Sequence, residues 1–164
     1  MIRHFVNILL FYLPPSRLFV LRRVLLRMAA INVDTMVSFC GRGWIYGRGV
    51  ISIGEGTWLS PGVVFYTHCD ASIDIGSQCD IGPGVEFIVG SHEIDNSSRR
   101  AGKGIAKSIM VGNGTWIGAK VTVLDGVKIG NGCVIAAGSV VCHDVDDNCL
   151  IAGVPAIVKR KLNA

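Results

Sequence analysis

VGNGTW-IGAKVT-VLDGVK-IGNGCV-IAAGSV-VCHDV, from Val111 to Val145, is the stretch that decides the fold. In groups of six, every first position is aliphatic: Val111, Ile117, Val123, Ile129, Ile135 and Val141. Every fifth position is small or branched: Thr115, Val121, Val127, Cys133, Ser139 and Val145. Turn pairs such as Asn113-Gly114 lie between them and tolerate positive φ. Neither an α-helix nor an ordinary hairpin meander has this period, so the stretch predicts a β-solenoid with a short strand and a tight turn in each hexad.

The composition fits a solenoid in a single domain. The chain has 164 residues, enough for one core, and combines 21 glycines with a hydrophobic fraction of 50%. In a solenoid, every turn needs a small residue and every strand points aliphatic side chains into a narrow interior. The net charge is only +4, and the basic residues concentrate at 17–27 and 159–161 without interleaved aromatic residues. We therefore expect no nucleic-acid partner.

The six cysteines are scattered and form no CxxC pair, which disfavours a zinc ribbon or a redox pair. Cys69, Cys79 and Cys133 fall at the fifth hexad position, where a small buried side chain is wanted. This placement predicts reduced structural thiols, as in a cytoplasmic protein.

Residues 1–31 precede the repeat and are predicted to form an N-terminal helical cap. Phe5 to Leu13 is apolar but shorter than the roughly 20 residues that span a bilayer, and the prolines and arginines that follow disfavour a signal peptide. Ser16 can cap a helix that runs through Met28. Two roles stay open for residues 1–28: covering the open end of the solenoid, or resting as a basic interfacial helix on anionic lipid.

The repeat occupies residues 32–162 of this single domain, with one interruption. Near position 71 the aliphatic positions slip by two residues, which predicts one shortened turn. Residues 93–109 are polar and aperiodic, yet Ile75 and Val111 lie a multiple of six positions apart. A segment that preserves the register predicts a loop that leaves the coil after His92 and returns to it. Long structureless connections of this kind are typically functional or disordered.

The hexads, the loop after His92 and the tail AGVPA (152–156), followed by Lys159-Arg160, resemble the hexapeptide-repeat acyltransferases. The chain is most similar to the maltose, galactoside and nodulation-factor O-acetyltransferases and to the colanic-acid-type enzymes of surface polysaccharides. The resemblance covers about residues 32–162. It implies a left-handed parallel β-helix with three hexads per coil, a homotrimer with active sites between subunits, and acetyl-CoA as the acyl donor.

The resemblance also implies roles for individual residues. His92 matches the catalytic histidine that precedes the loop. The positions that match the coenzyme A side are Trp116, Gly118, Ala119, Ala136, Ala137, Ser139, His143, Lys159 and Arg160. Among these, Lys159 and Arg160 match the cations that meet the phosphates, and His143 stands where a lysine is frequent. The family's sugar-binding asparagine falls near Gly62, so the acceptor is expected to differ from a simple galactoside.

Acetyl transfer from a thioester to an alcohol needs a base for the hydroxyl proton and donors for the oxyanion. A histidine can take that proton at neutral pH and return it to the leaving sulfur. We therefore predict direct transfer in a ternary complex, with His92 as the base and no covalent intermediate on a cysteine. The group that orients His92 stays open among Glu86, Glu93 and Asp95, and a backbone carbonyl would serve equally.

The function predicted is acetyl-CoA-dependent O-acetylation of a sugar hydroxyl, in the biosynthesis of a surface polysaccharide such as an exopolysaccharide, a capsule or an O-antigen. The expected location is the cytoplasm or the inner face of the membrane. The alternatives are another small acceptor, such as serine or an antibiotic, and a non-catalytic β-helix scaffold. A γ-type carbonic anhydrase needs three zinc histidines, two of them close in sequence, but His68 and His92 are far apart. We expect no metal.

Overall fold

Two helices followed by a parallel β-solenoid make up the fold of the chain in a computed structural model, which describes residues 2–163. The helices are α1, Ile2–Tyr12, and α2, Phe19–Met28. The strands are β1 Asn32–Val33, β2 Ser38–Phe39, β3 Trp44–Tyr46, β4 Val50–Ile53, β5 Trp58–Leu59, β6 Val64–Tyr66, β7 Ser72–Ile75, β8 Asp80–Ile81, β9 Glu86–Ile88, β10 Gly90–Ile94, β11 Ala101–Ala106, β12 Ile109–Val111, β13 Trp116–Ile117, β14 Thr122–Val123, β15 Lys128–Ile129, β16 Val134–Ile135, β17 Val140–Val141, β18 Cys149–Gly153 and β19 Ala156–Lys161.

The solenoid has three faces, each a stack of strands from successive turns. Face A contains β1-β4-β7-β12-β15, and face C contains β3-β6-β9-β14-β17. Face B contains β2-β5-β8-β13-β16-β18 and is continued by β19, which pairs antiparallel with β18. The chain passes through faces A, B and C in that order in each turn. We name the three corners AB, BC and CA after the faces that they join. The predicted solenoid is confirmed.

The predicted inward positions of the hexads all point inward. The six first-position aliphatic residues from Val111 to Val141 are buried, and so are the fifth-position residues from Thr115 to Val145. The buried hydroxyl of Thr115 donates to Gly130 O at 2.9 Å and accepts from Cys133 N at 3.2 Å, so this polar group is satisfied within the core. The interior is therefore a continuous column of mainly apolar side chains, with the hydroxyl of Thr115 hydrogen-bonded inside it.

The predicted shortened turn near position 71 is wrong, because that connection is longer than its neighbours. Thr57 and Cys79 occupy equivalent places on successive turns and are 22 residues apart, compared with 18 for Thr115 and Cys133. The extra residues form the turn 67–71 at the CA corner. Cys69 lies in this turn and is exposed, unlike the buried Cys79 and Cys133, so its predicted burial is also wrong.

The shortened turn lies instead in the last coil. Asn131 and Asp147 face each other on successive turns and are only 16 residues apart. The Asp147 carboxylate accepts a hydrogen bond from Asn131 N at 2.7 Å, which lowers the pKa of Asp147. Asp147 thus stabilises the backbone at the place where the coil tightens.

The segment predicted as a structureless loop over 93–109 is a β-hairpin. Strands β10 and β11 pair antiparallel, with His92 opposite Gly104. The hairpin begins at Gly90, so His92 stands in its first arm and not at its junction with the coil. The hairpin residues are polar and have no regular aliphatic positions. The pairing of the two hairpin strands could therefore not be predicted from the hexad pattern.

The hairpin closes at its base and leaves the coil undisturbed. Lys107 N donates to Val89 O at 3.0 Å, which brings the two ends of the excursion together. Ile75 then pairs with Val111 in the parallel register of face A. The predicted preservation of register is confirmed.

The two helices cover the first turn of the coil. Asn7 is buried and bonds to both backbone groups of Ile45, donating to its oxygen at 2.9 Å and accepting from its nitrogen at 3.1 Å. This amide replaces the neighbouring strand that β3 lacks on this side.

Helix α2 begins later than predicted, because Ser16 does not cap it. The N-cap residue is Leu18, which has a left-handed backbone conformation (φ 57°) and makes no side-chain cap hydrogen bond. Within residues 2–163, no helix is long and apolar enough to cross a bilayer.

Truncation of Phe87 is expected to destabilise the solenoid strongly. Phe87 is fully buried and stacks on Phe65 of the previous turn, with ring centroids 5.4 Å apart. Phe87→Ala removes these contacts and leaves a cavity, which costs about 3–5 kcal/mol. Urea unfolding at a fixed protein concentration measures the loss. Phe5→Ala, at a position 62% exposed, is the control and should change stability by less than about 0.5 kcal/mol.

Candidate active site

The outer side of face B carries a shallow apolar groove. Paired strands place the residues that precede the buried aliphatic positions in one row: Trp58, Asp80, Trp116, Val134 and Leu150. The indoles of Trp58 and Trp116 are 39% and 58% exposed. With the adjacent BC corner, the row encloses about 930 Å³. The predicted donor-side residue Trp116 therefore lies in a real groove, which we call the face B groove.

Small residues form the BC corner beside this groove. A Cβ on Gly82 would lie 2.7 Å from Ala119 N, and one on Gly118 would lie 2.6 Å from Ala137 N. The turns are thus stacked backbone on backbone at these glycines, and the adjoining Ala119, Ala136 and Ala137 project only methyl groups. Ala119, Ala136 and Ala137, three of the predicted donor-side residues, line the groove together with Gly118. The result is a narrow ledge suited to a thin, extended ligand.

A cationic strand borders the face B groove. Arg160 on β19 pairs with Leu150 on β18, and directly paired residues project to the same side of a sheet. Arg160 therefore extends the row that includes Leu150. Lys159 falls in the irregularity between the pairs Leu150–Arg160 and Ile151–Val158, and both cations are exposed. This end of the groove attracts anionic groups.

Ser139 and His143, two predicted donor-side residues, do not reach the groove. The Ser139 side chain is only 1% exposed, donates to Ala136 O at 2.7 Å and accepts from Gly153 N at 3.1 Å. It braces the corner and the β18–β19 connection, so this side chain is not exposed in the groove. His143 is exposed in the bend after β17, at the CA corner, away from the residues that line the groove.

His92 stands free on the hairpin. It is exposed, its cross-strand partner is Gly104, and Gly90 precedes it in the same strand. A Cβ at either glycine would meet nothing within 4 Å, so the space around the imidazole is open. Among residues 2–163, the side chain of His92 has no hydrogen bond or ion pair, since both ion pairs found there involve other residues. A second molecule can therefore approach this imidazole closely.

The three predicted orienting carboxylates are not brought into hydrogen-bonding contact with His92. Asp95 lies in the hairpin turn and accepts from Asn96 N at 2.7 Å. Glu93 is exposed at the irregularity of β10. Glu86 lies on the outer side of face C beside Tyr66, where burial and the Glu86 charge raise the pKa of the Tyr66 hydroxyl. Within the described part of the chain, none of the three forms a hydrogen bond or an ion pair with the imidazole, and the orienting group stays a prediction.

The face B groove and His92 lie at different corners of the coil. The groove occupies face B and the BC corner, whereas the hairpin leaves at the CA corner, and His92 does not line the groove. One chain by itself does not combine the free imidazole with the groove.

Comparisons with known proteins agree with this geometry. The family described as "Bacterial transferase hexapeptide (six repeats)" matches residues 108–143. A hexapeptide-repeat containing acetyltransferase from Vibrio cholerae O1 biovar eltor, solved with acetyl coenzyme A, is 30% identical with a TM-score of 0.74, over 99% of this chain and 88% of that one. The chain belongs to the hexapeptide-repeat acetyltransferase family.

Two further relatives of this hexapeptide-repeat protein are acetyltransferases whose names specify a carbohydrate. The galactoside O-acetyltransferase of Escherichia coli K12 is 33% identical over 130 residues, which are 68% of this chain and 64% of that protein. A polySia specific acetyltransferase of known structure is 29% identical with a TM-score of 0.69, over 81% of this chain and 61% of that one. The chain spans only 45%, 64% and 44% of three curated relatives that it matches.

The cysteines of this hexapeptide-repeat protein divide into buried and surface thiols. Burial raises the pKa of Cys40, Cys79 and Cys133, which keeps these thiols protonated and poorly nucleophilic. Cys69 is exposed in the turn 67–71, where its sulfur and the side-chain ligand atoms of His68 and Asp70 lie within 4.8 Å of one another. Cys142 is half-buried.

Sequence reasoning missed several groove residues of this hexapeptide-repeat protein: Trp58, Asp80, Pro83, Val134 and Leu150. Four of these residues directly precede a buried aliphatic residue of face B, and they could have been found by applying the hexad phase to every turn. The hairpin strands carried no comparable pattern.

Proposed function

We propose that this protein is an acetyl-CoA-dependent O-acetyltransferase that modifies a sugar hydroxyl, with His92 as the general base. The observation that carries the proposal is the free imidazole on a projecting hairpin, in a chain that also has a groove for an extended anionic ligand. Acetyl-CoA has the matching shape and charge: a thin pantetheine arm with phosphates at the far end. The relative from Vibrio cholerae was solved with this molecule, which supports the choice of donor.

The donor fits the face B groove in one direction. The pantetheine arm would lie along the ledge of Gly118, Ala119 and Ala137, whose own side chains are no larger than a methyl group. The phosphates would lie towards Lys159 and Arg160, whose charges attract them. The thioester then points away from β19, along the BC corner.

A trimer would bring the thioester to His92. The outer side of face C is mainly apolar, with Glu86 and Thr122 among the apolar side chains of Trp44, Tyr46, Val64, Tyr66, Ile88, Leu124 and Val140. Face A instead presents the charged side chains of Asp74, Lys128 and Asp144. If three copies turn face C inward, the CA corner of each copy lies beside the BC corner of the next. This arrangement sets the hairpin of one subunit against the donor ledge of its neighbour.

The chemistry then needs only His92 and backbone donors. The imidazole takes the proton of the acceptor hydroxyl while the oxygen attacks the thioester carbonyl carbon. Backbone amides of the neighbouring turns would stabilise the oxyanion. Collapse of the tetrahedral intermediate breaks the carbon–sulfur bond, and the imidazolium returns its proton to the leaving thiolate. The raised pKa values of Cys40, Cys79 and Cys133 disfavour these three buried thiols as carriers of the acetyl group.

We assign the acceptor to a sugar, and within that class to a surface polysaccharide such as an exopolysaccharide, a capsule or an O-antigen. The relatives named for galactoside and polySia support a carbohydrate acceptor. Gly62 stands near the position of the family's sugar-binding asparagine, and a glycine has no side chain to bind a hydroxyl. The acceptor is therefore expected to differ from a simple galactoside. Because acetyl-CoA is a cytoplasmic metabolite, we place the reaction in the cytoplasm.

The test of this proposal is release of free coenzyme A from acetyl-CoA in the presence of acceptor oligosaccharides. A thiol reagent measures the release, and mass spectrometry identifies the acetyl ester on the glycan. Ala137→Phe is the matched variant, because Ala137 is exposed on the ledge and a phenyl ring there would block the donor. We expect its KM for acetyl-CoA to rise at least ~10-fold. Failure of the wild-type protein both to bind acetyl-CoA and to acetylate any glycan would refute the proposal and favour a scaffold.

A further inference from the structure

The two helices of the N-terminal cap have their polar side chains turned inward. Asn7 of α1 bonds to Ile45, and Arg3 of α1 donates to Ala29 O at 3.3 Å and 3.2 Å and to Gly47 O and Gly49 O at 3.1 Å each. These carbonyls belong to the rim of the first coil and to the end of α2. The polar side of α1 therefore faces the protein, the reverse of an ordinary surface helix.

Helix α2 repeats this arrangement. Arg22 is fully buried and donates to Leu10 O at 3.1 Å, and to carbonyls in the connection between the helices. Arg23 donates to Val37 O at 3.0 Å, and Arg27 to Val33 O at 3.0 Å. Burial lowers the pKa of Arg3 and Arg22, but guanidinium groups stay charged at neutral pH. The arginines of both helices are thus used to hold the coil.

The opposite side of both helices is apolar and open. On α1 the exposed side chains recur at helical spacing, so they share one stripe. Helix α2 has a second stripe. We call the two stripes together the cap face: Ile2, Phe5, Ile8, Leu9, Tyr12, Val20, Leu21, Val24 and Met28. Phe5, Tyr12 and Val20 are 62%, 79% and 68% exposed. A groove of about 660 Å³ between the helices, lined by Phe5, Leu9, Leu25 and Met28 among others, joins the two stripes into one surface.

The charged side chains around the cap face are positive. The first acidic residue of the chain is Asp34, so residues 2–33 carry arginines without a carboxylate. Arg17 and Arg42 are exposed beside the helices, and the Arg42 guanidinium lies 5.4 Å from the Phe11 ring. An apolar helical surface with a cationic margin is the combination that binds anionic lipid at the membrane interface.

We propose that the cap face docks on an anionic lipid bilayer, with its apolar side chains among the acyl chains and the marginal arginines at the headgroups. A second copy of this chain fits the surface less well, because two cap faces in contact would bring arginines of like charge together. The helices cover the first turn, so the coil extends away from the bilayer and leaves face B accessible.

The experiment is co-sedimentation of the full chain with vesicles, measured without acetyl-CoA. Vesicles of phosphatidylcholine mixed with phosphatidylglycerol should retain the protein, and phosphatidylcholine alone should retain much less. Phe5→Ser with Val20→Ser should weaken binding at least ~10-fold, because both side chains would otherwise enter the acyl region. Met110→Ser with Val154→Ser is the matched control, since both residues are exposed and apolar but lie on the coil; its binding should be unchanged.

A charge variant and a size measurement complete the test. Arg17→Gln should weaken binding to the anionic vesicles by about fivefold and leave the weak binding to neutral vesicles unchanged. Light scattering without lipid should give the same particle size for the wild type and the Phe5→Ser, Val20→Ser variant. Absence of vesicle binding would overturn the proposal. A particle that is larger in the wild type and shrinks in the cap variant would assign the cap face to a second copy instead.

Discussion

His92→Ala is expected to lower kcat for acetyl transfer at least ~100-fold, the usual scale for loss of a general base. The reason is that His92 is the exposed imidazole on the hairpin, with open space around it and no partner among residues 2–163 to make it structural. The fold should survive, because the side chain packs against nothing that the hairpin needs. Steady-state coenzyme A release measures the effect, and acetyl-CoA binding should stay within about twofold of wild type because the donor ledge is intact.

Two further variants separate chemistry from structure. His92→Asn keeps a polar side chain of similar size but provides no base, and it should be as inactive as His92→Ala. His68→Ala removes an exposed histidine from the same CA corner one turn earlier, and it should retain wild-type turnover. Wild-type kcat in His92→Ala would remove this residue from the mechanism. A comparable loss in His68→Ala would move the base to the turn 67–71.

Two impaired variants are expected to complement each other when they share a trimer, at an acetyl-CoA concentration well below the raised KM of Ala137→Phe. His92→Ala lacks the base and Ala137→Phe obstructs the donor ledge, but the proposed site takes its hairpin from one subunit and its ledge from the next. In randomly mixed trimers at equal amounts, about one quarter of the sites combine an intact hairpin with an intact ledge. Coexpression of the two chains with different tags should therefore give about a quarter of wild-type activity, roughly 25 times that of His92→Ala alone.

The control for complementation is the same pair purified separately and mixed without exchange of subunits, which should show only the low residual activity of the separate variants. If coexpressed chains also show only this residual activity although mixed trimers are recovered through both tags, each site must lie within a single chain. The wild-type protein should behave as a trimer in light scattering. A stable monomer would contradict the arrangement with face C inward.

The coil was predictable from the sequence because a strand alternates sides and the hexad repeats that alternation in every turn. Once Val111, Ile117 and Val123 are taken as inward, the outward positions follow, and the structure confirms them. The error near position 71 arose because β7 buries both Ile73 and Ile75, so the spacing between aliphatic residues no longer showed which turn was long.

The site was only partly predictable, for two physical reasons. The donor ledge consists of backbone and small side chains, and its place follows from the hexads that hold Ala119 and Ala137. The hairpin around His92 is held by backbone pairing between glycine-rich strands, which any polar sequence can form. His92 is separated from the groove because the two lie at different corners of the coil. The hexad pattern in the sequence does not show how far apart two corners are in space.

The closed base of the hairpin allows the hairpin to differ in length and sequence without disturbing the coil. Lys107 N meets Val89 O across the base, and the strands on either side keep their register. The hairpin is therefore a module that can be lengthened, shortened or exchanged while the coil and the face B groove stay as they are. Because the hairpin would meet the acceptor and the ledge would meet the donor, a change of acceptor need not disturb the use of acetyl-CoA.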